Sequence, residues 1–192
     1  MVKIDTTSVN KGFLVPLRTV RGGCETNNEH TNYSDTTDRT DVAPVQTSWP
    51  ELPCFGCGPA NEDGLQLESY KLPDERGLEA TVQPAERFRV TPGVVYGGYL
   101  ASVVDCNSMW TAMTYASPPD ERPPDSRPEA AYATAELTVE YHETTPMGVP
   151  LDVTSRVVGE IGRSVQVETE ILADGALTAT GDVTAVRMAG VL

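Results

Sequence analysis

The sequence predicts an α+β fold in which one long buried helix is wrapped by an antiparallel sheet of about six strands. Three observations predict it. Apolar residues recur at helical spacing in one stretch, 97–115. Alternating apolar and polar residues mark two stretches before that helix and four after it. Clusters of Pro, Gly, Asn and Asp lie between the stretches, where the chain has to turn.

In chain order, Pro53-Cys54-Phe55-Gly56-Cys57-Gly58-Pro59 is turn chemistry and leads through Asn61-Glu62-Asp63-Gly64. Leu65–Tyr70 then alternates as a strand with one buried face should, and Gly77–Val82 alternates again. Pro73-Asp74-Glu75-Arg76 makes a hairpin-like connection between the two. Pro92-Gly93 breaks the chain before Val94-Val95. The helix is predicted from Gly97-Gly98 to about Tyr115, with Leu100, Val103, Val104, Met109, Trp110 and Met113 on a broad buried face. Ser117-Pro118-Pro119 stops it, and a polar, Pro-rich loop follows to Pro128. Strands are predicted over 134–141, 151–160, 163–173 and 176–188, all rich in β-branched residues. Asp174-Gly175 between the last two is a tight-turn signal.

Residues 1–48 read as a polar N-terminal arm, and 49–192 as the folded domain. Cys24–Asp41 is rich in Thr, Asn and Asp without apolar periodicity, so it buries too little surface to offset its ordering entropy. The apolar cluster Phe13–Leu17 is too short for a signal peptide, and a cytoplasmic location is expected. No apolar run approaches the roughly 20 residues that span a bilayer, so no membrane partner is expected. Twenty-eight acidic against 14 basic residues give a net charge of −14, which disfavours a phosphate backbone as partner. Low Lys with high Asp and Glu fits a protein soluble in concentrated salt, with a GC-rich genome as the alternative.

Cys54–Leu67 (CFGCGPANEDGLQL), Pro92–Gly98 (PGVVYGG), Asp105 nine residues beyond Tyr96, and Tyr141 followed by Pro146-Met147-Gly148 occur in that order. In this order and spacing the chain resembles, over roughly residues 50–190, the hotdog-fold acyl-CoA thioesterases of the phenylacetic-acid-pathway and 4-hydroxybenzoyl-CoA type. The resemblance implies a hotdog fold, an acyl-CoA substrate and homo-oligomers, dimers or tetramers, with shared active sites. It implies a catalytic carboxylate at Asp105, acting as base or as nucleophile, and at Gly97-Gly98 a helix start whose backbone faces the substrate carbonyl. The chain departs from the family at Tyr96, which stands where the family carries the His of His-Gly-Gly; a phenol donates a hydrogen bond but is a poor base at neutral pH.

The residues support that chemistry independently. A helix N-terminus offers unpaired N–H groups and the positive end of the dipole to a developing oxyanion, and Gly97 and Gly98 let a substrate approach the backbone. Asp105 sits among Val103, Val104 and Met109, where a carboxylate is costly without a task or a partner. Otherwise it lies on the solvent stripe or caps a neighbour. Gly98 and Asp105 are seven residues apart, about 10 Å along the axis at roughly 1.5 Å per residue. Both can act on one carbonyl only if each comes from a different subunit.

Thr134 stands where the family carries a water-orienting Ser or Thr, and is equally an ordinary strand threonine. Asn107 and Ser108 flank the carboxylate and are candidates for lining a substrate site. Arg163 is a candidate contact for coenzyme A phosphates, as such turns are in the family, or a solvated hairpin arginine. The family carries the Cys54/Cys57 pair as a local structural feature; Cys24, Cys106, His30 and His142 supply no second spaced pair, so no metal or other cofactor is expected. The reading is thioester hydrolysis of a small or medium acyl-CoA. A non-catalytic acyl-CoA or hydrophobic-ligand binding protein is the alternative, and hydratase chemistry, which wants a histidine, ranks last.

Overall fold

The computed structural model describes residues 42–73, 75–116, 126–128 and 130–189. The arm up to residue 41 and most of the Pro-rich loop therefore lie outside the described residues. Strands β1 (Tyr70–Lys71), β2 (Gly77–Val82), β3 (Arg89–Thr91) and β4 (Val94–Val95) precede helix α1 (Gly97–Tyr115). Strands β5 (Tyr132–Tyr141), β6 (Leu151–Val158), β7 (Ser164–Ala173) and β8 (Ala176–Arg187) follow it. The main sheet has six antiparallel strands in the order β1-β2-β6-β7-β8-β5, while β3 and β4 form a separate ribbon. The helix packs across β2, β6, β7, β8 and β5, which is the wrapped-helix arrangement expected from the sequence.

Alternation puts one row of side chains from each strand under the helix. Val153, Ile171 and Ala179 form one rung, Val157, Val167 and Val183 another, all buried. The rung between them is small or polar: Ser155, Thr169 and Gly181. Here α1 comes closest, since a Cβ on Gly181 would lie 2.2 Å from Val104 Cγ1. The helix is buried on most sides over its second half, where Trp110 is the largest enclosed side chain. Outward positions of β6 and β7, such as Asp152, Glu168 and Glu170, carry acidic charge into solvent.

Two expectations differ in detail. Leu65–Ser69 keeps the predicted alternation, with Leu67 and Ser69 buried, but only Tyr70–Lys71 forms strand. Leu65 and Leu67 donate their N–H groups to Phe55 and Gly56 carbonyls, so this segment pairs with the cysteine turn instead of a strand. Gln66, at φ 54°, interrupts extended geometry as well. Val45–Ser48, assigned with the arm, forms a 3-10 turn whose Gln46 is buried and bonded to Ser69 through Nε2 (3.1 Å) and Oε1 (2.9 Å).

Candidate active site

The start of α1 is held from outside the helix. Gly93, at φ 80°, turns β3 into β4, and the Tyr96 N–H donates to Phe88 O at 2.6 Å. Val95 N–H donates to Thr145 O and Met147 N–H to Gly93 O, each at 2.9 Å, so the 145–147 segment fixes the approach to the helix. Tyr96 occupies the N-cap position and no side chain caps the first turn. The Tyr99 and Leu100 N–H groups donate to Tyr96 O, at 3.0 and 3.4 Å, which leaves those of Gly97 and Gly98 without an intrahelical acceptor.

An open cleft of about 500 Å³ lies against this end, lined by Val95, Gly97, Gly98, Tyr141, His142 and Thr145 among others. The Tyr141 hydroxyl donates to Gly97 O at 2.8 Å, fastening the end of β5 to the first helical residue. His142 is exposed, and its Nε2 lies 2.9 Å from Thr180 Oγ1. Thr145 is buried, and its hydroxyl has no hydrogen-bond partner among the described residues. Tyr96 is 54% exposed, yet its ring lies over Gly98: a Cβ there would come within 2.5 Å of it. Tyr99, one turn in, packs on Phe88 with ring centroids 4.8 Å apart, and burial pushes its phenol up to about 12.

Asp105 lies further along the helix, half-buried, and Thr134 Oγ1 donates to its Oδ1 at 2.5 Å. A bulge in β5 follows Thr134, between its pairing with Ala185 and that of Glu136 with Thr184. Among the described residues no cation pairs with Asp105. The structure thus brings Asp105 and Thr134 together, and Gly97 and Gly98 together with the cleft, but leaves the two groups at separate points of α1. Arg163 stands exposed in the β6–β7 turn. That turn lies towards the Thr134 end of β5, since Ser164 pairs with Val186 and Thr134 with Ala185.

Asn107 and Ser108 are placed elsewhere. Both are fully buried and bonded into the sheet. Asn107 Nδ2 donates to Ser155 Oγ at 2.7 Å, and its Oδ1 accepts from Ser69 Oγ at 2.7 Å. Ser108 and Ser155 each reach Thr169 Oγ1, at 2.8 and 2.6 Å. Their polarity belongs to a closed network beneath the helix, not to an open site.

A third cluster was not visible in the spacing. Cys106 joins Cys54 and Cys57, with all three sulfurs within 4.8 Å of one another. Hydrogen bonds from the Cys106 and Cys57 thiols, and from backbone N–H groups, draw the Cys54 thiol down, while Cys106 is pushed up.

No protein-family model matches the chain, and no functionally curated protein does. Solved structures do. A thioesterase superfamily protein from Shewanella loihica is 32% identical over 68% of this chain and 97% of its own, with a TM-score of 0.52. The Escherichia coli PaaI protein of the phenylacetic acid degradation operon is 16% identical over 66% and 82%, TM-score 0.54. A Streptococcus mutans protein bound to acetyl-CoA is 13% identical over 64% and 88%, TM-score 0.52. The last two share the fold; the first, at its identity and coverage, shows kinship. The chain belongs to the thioesterase superfamily and has its hotdog fold.

Proposed function

We propose that the protein hydrolyses the thioester of a small or medium acyl-CoA, releasing the acid and free coenzyme A. The observation that carries this reading is the Asp105–Thr134 pair: a half-buried carboxylate held at 2.5 Å by a hydroxyl rather than neutralised by a cation. Asp105 takes a proton from water as the oxygen attacks the acyl carbon, with Thr134 orienting the carboxylate. The uncapped N–H groups at Gly97 and Gly98 receive the oxyanion. The carbon–sulfur bond then breaks, and the coenzyme A sulfur leaves with the proton. Arg163 and Tyr96 serve substrate binding at the rim.

Because Gly98 and Asp105 lie on different turns of one helix, the complete site takes each from a different copy, the two helices running antiparallel across a two-fold axis. The exposure of β5 supports this. It is an edge strand exposed from Ala133 to Thr138, including Leu137, and a free edge of that length invites pairing with a second copy. The acetyl-CoA bound to the Streptococcus mutans neighbour supports an acyl-CoA ligand. One observation favours the binding-only alternative: the Tyr96 ring covers Gly98, where the carbonyl has to approach.

Thiol release from short, medium, long and aromatic acyl-CoAs, at low and molar salt, tests the reading. Turnover is expected on at least one class, with Asp105→Asn lowering kcat by about 100-fold or more while acyl-CoA affinity stays nearly intact. Saturable binding without turnover on any substrate would assign the chain to the binding class instead. A monomer that turns over at full rate would sink the shared site.

A further inference from the structure

We propose that Cys54, Cys57 and Cys106 form a three-thiolate site for a zinc ion that fastens the 53–59 turn to helix α1. The distances suit it. Cys54 Sγ and Cys106 Sγ are 3.8 Å apart. Two thiolates on tetrahedral zinc, with bonds of about 2.3 Å, stand roughly 3.8 Å from each other. All three sulfurs already fall within 4.8 Å of one another, so shifts on the order of 1 Å place them on one face of a tetrahedron. A disulfide would instead need one pair to close to about 2.05 Å.

The donor beside the cluster suits the same reading. Trp110 Nε1–H donates to Cys57 Sγ at 3.2 Å. A neutral thiol is only a weak acceptor that packs as a small hydrophobe, whereas a metal-bound thiolate is held by N–H groups around it. The backbone is also shaped for the cluster. A Cβ on Gly56 would lie 2.2 Å from Cys106 Sγ, so a side chain there displaces the Cys106 thiol from the cluster. The Gly58 N–H closes the turn on Cys54 O at 2.9 Å. Cys57 and Cys106 are buried and Cys54 only partly so, which leaves solvent access for a fourth ligand. Cys106 adjoins Asp105, so an ion here sets the seat of the helix beside the carboxylate.

The test is metal content of the full chain, purified under reducing conditions and dialysed, followed by Co²⁺ uptake after chelation. About one zinc per chain is expected. The chelated protein should take up one Co²⁺ with the near-ultraviolet charge-transfer absorption of thiolate ligation. A Cys54→Ser, Cys57→Ser double variant should lose both. Reduced wild-type chain that holds no zinc and gives no cobalt–thiolate band overturns the proposal. So does stoichiometric zinc that persists in the double variant, since another site would then hold it. Should the variant fail to fold, the wild-type zinc content and cobalt spectrum decide alone.

Discussion

The two halves of α1 are made for different purposes. Its first turn is open: glycines at 97 and 98, no capping side chain, and a cleft alongside. Its second half is closed: Asn107, Ser108, Trp110, Thr111 and Ala112 are enclosed, and their polar atoms are satisfied. A helix can offer its N-terminus to a ligand only if something else holds it in place. Here backbone bonds and Tyr141 fasten the entry to the helix without covering its first N–H groups, and from residue 106 onward a polar network and a cysteine cluster hold the rest. The general lesson is that access at one end of an element requires over-determination at the other.

The largest effect should follow from breaking the closed half. Asn107→Ala removes one hydrogen-bond partner each from Ser69, Ser155 and the Leu78 carbonyl, leaving Ser69 to Gln46 and Ser155 to Thr169. A loss of about 3 kcal/mol is expected, from the buried hydrogen bonds lost and a small cavity. For a chain of this size that lowers Tm by roughly 6–12 °C. Chemical denaturation checks it; a loss under about 1 kcal/mol would mean the network contributes little.

The same contrast explains what was legible in the sequence. The bounds of α1 could be read because glycines and prolines punctuate an apolar helical period, and β6 to β8 because one buried face imposes strict alternation. Which face a polar helical residue takes could not be read. Asn107 and Ser108 look like site residues beside Asp105, but the small rung Ser155–Thr169–Gly181 that receives them lies on distant strands. Cys106 escaped for the same reason, since its partners lie 52 and 49 residues earlier. The β3–β4 ribbon, of three and two residues, is too short for periodicity to show. Tyr141 read as a strand end, and only its bond to Gly97 reveals it as part of the cleft.

One chemical change made at both ends sharpens the comparison. Gly181→Ala puts a methyl against Val104, wedged between strand and helix, and should destabilise by about 1–3 kcal/mol. Gly98→Ala meets the Tyr96 ring first, the far end of an exposed side chain that can swing away. Since Ala favours helix over Gly, stability should stay level or rise by up to about 1 kcal/mol. Ligand affinity should nonetheless fall, because the added methyl stands where a substrate carbonyl approaches. Parallel thermal melts of the two variants decide; equal losses would erase the distinction between the halves.

The smallest expected effect on stability is the most telling about the cleft. Thr145 is buried with an unpartnered hydroxyl at the wall of the cleft beside the uncapped helix end. A buried hydroxyl without a bond is a cost, so Thr145→Val, of the same shape, should leave the free protein unchanged or more stable by up to about 1 kcal/mol. If the hydroxyl is kept for a ligand that completes its hydrogen bond, the variant should bind acyl-CoA several-fold more weakly despite folding as well or better. Stability and affinity moving in opposite directions is the signature of a group retained for binding. Were both to stay level, Thr145 would be a packing residue, and the cleft's recognition would rest on the helix end and Tyr141.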